Sequence, residues 1–247
     1  VKEYDKSLIV LAQSSGALYK EAVKLGLPVG ITQALFAIAA IFVQNLTNTF
    51  GTVFIAASTV VMRVDGFAML PNFTFGTAMT TFVGQNVGAM KIDRVRQGTK
   101  DGLKIGVTTS VVLVGLILIF GKFLMGLFTN TEEVIEVSYE MMCILGIGYI
   151  GVAINQILSG TIRGAGDTMT PMWVALATTT VIRLPIAYGM AYLTRSEAFP
   201  TGEPRSIYYS LVIAWVMGAL ITAIIYKIGR WAKRARIGGK IVDISNM

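Results

Sequence analysis

Long apolar blocks, rather than an alternation of apolar and polar positions, organise this chain. A helix needs about 20 mainly apolar residues to cross the roughly 30 Å hydrocarbon core of a bilayer. Six blocks reach that length, at Leu25 to Asn48, Thr52 to Val83, Ile105 to Phe128, Val134 to Ile162, Pro171 to Leu193 and Tyr208 to Ile228. The pattern therefore predicts an all-α integral membrane protein with a bundle of six transmembrane helices.

The segments between the blocks contain residues that are typical of helix ends. Gly51 separates the first two blocks, and Glu132 and Glu133, which complement the positive end of a helix, precede the fourth. Pro171 can occupy the first turn of the fifth helix. Pro71 and Pro185 lie inside blocks, where each removes a backbone hydrogen bond, so we expect bends in these two helices.

The distribution of Lys and Arg predicts the orientation. These residues concentrate before the first block, between the second and third, and after the sixth, whereas the other side has only Lys122, Arg195 and Arg205. Cytoplasmic loops carry the excess of Lys and Arg in membrane proteins. We therefore predict a multi-pass protein of the cell membrane with both termini in the cytoplasm. An even number of spans agrees with this prediction, because it places both termini on the same side.

This orientation gives a simple organisation. Residues 1–24 are predicted to be a cytoplasmic linker, residues 25–231 the six-helix unit, and residues 232–247 a basic cytoplasmic tail. The polar and basic segment from Lys91 to Lys104 has two interpretations, a short helix lying along the membrane surface or a solvated connector.

Composition supports the membrane and excludes several classes of function. The chain is 54% hydrophobic and 14% charged, with a net charge of +7, whereas soluble domains are about 25% charged. Lys and Arg between apolar blocks suit anionic headgroups better than nucleic acid. With no His and a single Cys, Cys143, the chain lacks the residues for Ser-His or Cys-His catalysis and for His-ligated zinc. We predict no enzyme, cofactor or metal site.

Three charged residues, Arg63, Asp65 and Arg183, fall inside apolar blocks. A charge inside the hydrocarbon costs about 3 kcal/mol on insertion scales, so such residues normally face protein or water. Arg63 and Asp65 point to different sides of one helix and need separate partners. Both a structural ion pair between helices and a role in transport agree with this pattern.

Small and polar residues also form stripes at helical spacing. The stripe in the first block could line a water-filled cavity or allow two helices to approach closely. It consists of Gln33, Ala37, Ala40, Gln44 and Asn48, and Gly148, Asn155 and Ser159 form a similar face in the fourth block.

Two motifs resemble those of multidrug and toxic compound extrusion (MATE) transporters. The second block ends in Thr81-Phe-Val-Gly-Gln-Asn-Val-Gly-Ala89, and Arg163-Gly-Ala-Gly-Asp-Thr168 follows the fourth. In that family a helix ends in a GQNxGA-type sequence and a later cytoplasmic turn contains RGxGDT. Gly26-Leu27-Pro28 and Arg63-Val64-Asp65 also resemble its seventh and eighth helices. The resemblance covers Ala22 to Trp231.

The resemblance implies that this chain is the C-terminal lobe of a twelve-helix transporter, which pairs with an N-terminal six-helix lobe around a central cavity. Such a transporter is a secondary antiporter that exports amphipathic or cationic organic compounds, as in multidrug efflux, in exchange for protons or sodium. The acidic residues that bind sodium in some members have no counterpart inside the first and fourth blocks, which favours protons.

We expect Gln33, Gln44, Arg63, Asp65 and Asn155 to bind substrate in the cavity, with Asp65 attracting a cation. A lipid-linked oligosaccharide flippase and a non-transporting structural membrane subunit are the alternative functions.

The glycines and the aspartate of the two motifs suit turns better than binding. Gly84, Gly88, Gly164 and Gly166 permit tight turns, and Asp167 could cap the helix that follows.

Overall fold

The computed structural model describes residues 23, 30–31, 33–197, 199–233, 235–237 and 240–242. The predicted linker, apart from Val23, and the Gly26-Leu27-Pro28 stretch lie outside the described residues.

Helices dominate the described residues. They are α1 (residues 33–48), α2 (Thr52–Gly88), α3 (Ile92–Gly126), α4 (Glu132–Gly164), α5 (Met169–Leu176), a π-helical segment (Ala177–Ile182), α6 (Arg183–Leu193), α7 (Ser206–Ile228) and α8 (Arg230–Lys233). Five spans in this part of the chain are long and apolar enough to cross a membrane: α2, α3, α4, the continuous stretch Met169–Leu193, and α7. Together with α1, they confirm the predicted six-helix bundle.

A small β-hairpin adds to the predicted all-α fold. Strands β1 (Ala235–Ile237) and β2 (Lys240–Val242) pair in antiparallel register, with Arg236 opposite Ile241. This hairpin falls within the region that the sequence predicts as a basic tail.

Helix α3 corrects both interpretations of the segment from Lys91 to Lys104. The helix runs without interruption from Ile92 to Gly126, and its 35 residues extend for about 50 Å. The basic segment is thus the first part of a membrane helix that exceeds the roughly 30 Å hydrocarbon core. Its helical structure follows from packing, because Ile92, Val95 and Thr99 lie on one face and are buried.

Helix α4 lies at the centre of the bundle, where it packs against α2, α3 and α7. Its side chains Met142, Leu145, Tyr149 and Ile157 are among the largest that the fold buries completely. The neighbouring helices leave much more of their apolar surface exposed, as expected for elements that face lipid.

Glycines let α2 and α4 approach to backbone contact. A Cβ atom at Gly164 would lie 2.6 Å from the carbonyl oxygen of Thr80 and 2.7 Å from Cβ of Val83, and one at Gly160 would collide with the carbonyl of Gly76. Small residues at a helix crossing provide this close packing in membranes.

The prediction of turns at the four motif glycines is therefore wrong for three of them. Gly84 lies inside α2, and Gly88 and Gly164 are the last residues of α2 and α4. Gly166, with φ of 97°, does form a turn.

The predicted cap at Asp167 is confirmed. The backbone N–H of Thr170 donates to Asp167 Oδ1 at 3.0 Å, and the Thr170 hydroxyl donates to Oδ2 at 2.6 Å. The carboxylate thus satisfies a free N–H in the first turn of α5.

The two internal prolines have different surroundings. Helix α2 remains α-helical through Pro71. In the fifth span, the π-helical segment Ala177–Ile182 lies just before Pro185. Pro185 has no N–H to donate to the carbonyl of Val181, four residues earlier, so proline and π-helix interrupt the regular hydrogen bonding at the same place.

Substitution of Gly164 tests the contact between α2 and α4. We expect Gly164→Ala to lower the free energy of unfolding by about 1–3 kcal/mol, because the added methyl group must separate the two backbones. Thermal unfolding in detergent measures the change. Gly115→Ala in α3 is the matched control, since its Cβ would meet no atom within 4 Å, and an equal loss in both variants would contradict the proposed contact.

Candidate functional site

A cavity of about 260 Å³ lies between α1, α2, α6 and α7, with α4 at its base. Its polar lining residues are Gln44 and Thr47 from α1, Ser58 and Asp65 from α2, Arg183 from α6 and Tyr208 from α7. Most of the remaining lining is apolar, including Val43, Val61 and Leu145. A mainly apolar cavity with a few convergent polar groups is typical of binding sites for small molecules.

Asp65 is held in this cavity by a tyrosine from the central helix. The hydroxyl of Tyr149 donates to Asp65 Oδ1 at 2.7 Å. The ring of Tyr149 is only 1% exposed and stacks on Trp215 of α7, with 5.8 Å between the ring centroids. This packing leaves the hydroxyl little freedom, so the donor and the carboxylate are fixed relative to each other.

Arg183 brings a positive charge to the same cavity. It interacts electrostatically with Asp65 and with Tyr208. Asp65 and Arg183 are not among the ion pairs within 4.0 Å that the described residues form. Arg183 Nε is buried and has no hydrogen-bond partner in the described part of the chain. Asp65 and Arg183 therefore do not saturate each other, and their polar atoms can still form hydrogen bonds with a bound molecule or with water.

Tyrosine hydroxyls connect the helices around the cavity. Tyr208 donates to Ser58 Oγ at 3.0 Å, which links α7 to α2, and Tyr188 donates to the carbonyl of Phe42 at 2.8 Å, which links α6 to α1. The cavity is thus bounded by helices that are joined through specific hydrogen bonds, and it is not simply a gap in apolar packing.

The structure brings together two of the five residues that the sequence nominated for substrate. Gln44 and Asp65 both line the cavity. Arg63 and Gln33 are exposed and are not among the lining residues. Asn155 lies at the contact between α4 and α7, where its Oδ1 accepts hydrogen bonds from Thr222 at 2.7 Å and from Ser159 at 3.3 Å.

Sequence reasoning missed the tyrosines of this site. Tyr149 and Tyr208 resemble ordinary aromatic residues of apolar helices, and nothing in their spacing points to Asp65. One signal was available: a carboxylate inside the membrane needs a hydrogen-bond donor, and that donor must come from another helix. Arg183 was recognised as a charge in the membrane, but its proximity to Asp65 depends on the packing of α6 against α7 and of α7 against α4.

Helices α1 and α2 each carry small and polar residues that are exposed. All five members of the α1 stripe are exposed. On α2, small or polar exposed residues follow each other at three- and four-residue steps in two stretches, which are separated by exposed Leu70 and Phe73: Thr59, Arg63 and Gly66, and then Thr74, Thr77, Thr81, Gln85 and Gly88. We call these exposed residues of the two helices the α1/α2 face. Its Arg63 would be costly to place against hydrocarbon, which indicates that the face meets protein or water.

Comparison with known proteins gives a family and two groups of relatives. The family model MatE matches residues 28–189. The probable multidrug resistance protein YoeA of Bacillus subtilis (strain 168) is 25% identical over 215 residues, which make up 86% of this chain and 46% of that protein. The probable multidrug resistance protein NorM of Thermotoga maritima is 24% identical over 216 residues, 87% of this chain and 45% of that protein. The chain thus spans about half the length of the curated relatives it matches.

Solved structures share the fold over a similar half. An outward-facing multidrug resistance MATE family transporter of the MOP superfamily has a TM-score of 0.74 at 19% identity, covering 87% of this chain and 47% of that one. The MATE transporter ClbM in complex with Rb⁺ has a TM-score of 0.73 at 21% identity, covering 90% of this chain and 51% of that one.

Removal of one hydroxyl tests how Asp65 is held. We expect Tyr149→Phe to lower the free energy of unfolding by about 1–3 kcal/mol, because the partly buried carboxylate loses its donor. Tyr188→Phe removes a hydroxyl whose ring is 42% exposed, and it should cost less than about 1 kcal/mol. Chemical or thermal unfolding in detergent measures both, and equal losses would contradict a special role for the Tyr149 hydroxyl.

Proposed function

This chain belongs to the MatE family, and from that premise we propose that it forms one lobe of a secondary antiporter that exports amphipathic or cationic organic compounds in exchange for protons or sodium. Its half-length coverage of relatives called multidrug resistance proteins supports this proposal. The observation that carries it is Asp65, a carboxylate within a membrane-spanning helix that lines a mainly apolar cavity.

The chemistry of the cavity suits an exchange of cations. Ionised Asp65 compensates Arg183 and can attract an organic cation, while the apolar lining accommodates its hydrocarbon part. When a proton binds Asp65, its negative charge disappears and Arg183 is left uncompensated. The cavity then repels the organic cation, so binding of the proton and binding of the substrate oppose each other.

Protons are the favoured coupling ion. Asp65 is the only carboxylate among the described residues that line the cavity. One carboxylate beside a tyrosine hydroxyl is sufficient for a proton. Because ClbM was solved with the monovalent cation Rb⁺, sodium stays within the proposal as the ion to test against protons.

We propose that a second six-helix lobe covers the α1/α2 face. The chain spans about half of its relatives, which leaves room for a lobe of equal size. The small residues on the face allow close approach, and its polar residues avoid lipid when a second lobe and a water-filled cavity lie against them. The Lys- and Arg-rich ends of the helices would lie in the cytoplasm, together with both termini.

Substitution of the membrane carboxylate tests the proposed exchange. We expect Asp65→Asn, in the complete protein reconstituted into liposomes, to reduce export of a fluorescent organic cation by about tenfold or more, which corresponds to losing about 1.4 kcal/mol of charge interaction. The dependence of export on pH should disappear as well. Export measured separately under a sodium gradient and under a proton gradient identifies the coupling ion.

Asp167→Asn provides the matched control, because it removes a carboxylate that caps α5 and does not line the cavity. Because Asn keeps an oxygen that can accept from the Thr170 N–H, this variant should lose less than about 1 kcal/mol of stability and retain its affinity for substrate. The proposal fails if Asp65→Asn leaves transport and its pH or sodium dependence unchanged, or if folded Asp167→Asn loses all affinity for substrate.

A further inference from the structure

A second cavity, of about 350 Å³, lies between the first part of α3 and the corner where α7 meets α8. It shares no lining residue with the Asp65 cavity and plays no part in the proposed exchange. Its lining combines basic, aromatic and apolar side chains, which include Arg96, Lys100, Leu103, Tyr226, Lys227 and Trp231. We call it the basic pocket.

Three cationic side chains line the basic pocket. Arg96 and Lys100 are four residues apart and therefore lie on the same face of α3, while Lys227 comes from the last turn of α7. The described residues that line the pocket include no Asp or Glu. The nearby carboxylate of Asp101 pairs with Lys104 at 3.8 Å, and neither residue belongs to the lining. The pocket thus concentrates positive charge and favours an anionic ligand.

Two stacked aromatic rings form a rigid wall. The rings of Tyr226 and Trp231 lie 5.4 Å apart and are almost parallel, at 4°. The indole N–H of Trp231 donates to the carbonyl of Tyr226 at 3.2 Å. Gly229, with φ of 74°, turns the chain between them, a conformation that residues with a side chain rarely adopt. The wall is therefore built by the fold and needs no ligand to form.

The pocket lies at the depth where lipid headgroups are found. Tyr226 and Lys227 are close to the end of the α7 span at Ile228, and Trp, Tyr, Lys and Arg are the residues that membrane proteins place at this level. Exposed apolar side chains continue into the span from there, namely Ile105 on α3 and Ile224 on α7. A ligand with both a negative head and hydrocarbon chains fits this combination.

We propose that the basic pocket binds the phosphodiester headgroup of an anionic phospholipid. The headgroup lies among Arg96, Lys100 and Lys227, and the acyl chains extend along the apolar surfaces of α3 and α7. Basic pockets between membrane helices bind lipid headgroups in this way. A bound lipid of this kind connects the first part of α3 to the α7–α8 corner, whose residues line the pocket together.

Lipid binding can be counted directly by native mass spectrometry of the full chain, purified with any partner that accompanies it. We expect phosphatidylglycerol to bind more tightly than phosphatidylcholine. The variant Arg96→Gln/Lys100→Gln/Lys227→Gln should lose about fivefold in affinity per cation, and roughly a hundredfold in total. The matched control, Lys91→Gln/Arg94→Gln/Lys104→Gln, removes three charges from the same end of the protein but outside the basic pocket, and it should retain the preference.

Tryptophan fluorescence locates the lipid in the protein. Phosphatidylglycerol with brominated acyl chains should quench Trp231, and the extra quenching relative to brominated phosphatidylcholine should disappear in Trp231→Phe. Inorganic phosphate at equal concentration should not displace the lipid.

Equal binding of the two lipids would overturn the proposal, as would equal losses in the two triple variants. Extra quenching by brominated phosphatidylglycerol, relative to brominated phosphatidylcholine, that persists in Trp231→Phe would also overturn it. Displacement by inorganic phosphate would also overturn it, because it would assign the pocket to a soluble anion.

Discussion

The close contact between α2 and α4 is the constraint on which the other features depend. Gly160 and Gly164 remove side-chain bulk where α4 meets the backbone of α2 near Thr80. The central helix can therefore hold α2 at a fixed distance along its length. One consequence appears several turns away, where Asp65 on α2 meets the hydroxyl of Tyr149 on α4. A glycine contact and a polar contact thus belong to the same helix pair, and the first positions the second.

Polar groups in this bundle largely satisfy one another, which is the condition for burying them in a membrane. Thr99 bonds Thr161 at 3.2 Å, and Thr222 bonds Asn155 at 2.7 Å. Threonines of the α1/α2 face, such as Thr74, bond their own helix backbone. Four buried side-chain atoms of the described residues have no hydrogen-bond partner, namely Asn72 Nδ2, Thr180 Oγ1, Arg183 Nε and Ser206 Oγ. Of these four residues, Arg183 lines the cavity that contains Asp65, where its N–H can bond a molecule that enters.

The protein also separates its charges by position. Within the span, Asp65 and Arg183 share one mainly apolar cavity, where a low dielectric makes each charge sensitive to the other. At the Lys- and Arg-rich end, the cations Arg96, Lys100 and Lys227 line one pocket, for which we propose an anionic lipid headgroup as the ligand. Charge of one sign is acceptable there because headgroups can compensate it. The same physical rule applies at both sites: a charge needs an available partner. It gives a pair of opposite charges in the Asp65 cavity and a cluster of cations in the basic pocket.

The sequence alone determined the helical membrane fold and the family. Apolar length is a property of each segment by itself, so six blocks predict six helices, and Asp65 stands out because the cost of a charge in hydrocarbon is independent of its partner. The tertiary structure decided which residues meet. Tyr149 is 84 positions from Asp65 along the chain, and its role cannot follow from spacing within either helix. The continuity of α3 through its basic segment was likewise decided by packing, since burial of Ile92, Val95 and Thr99 against other helices outweighs the local polarity.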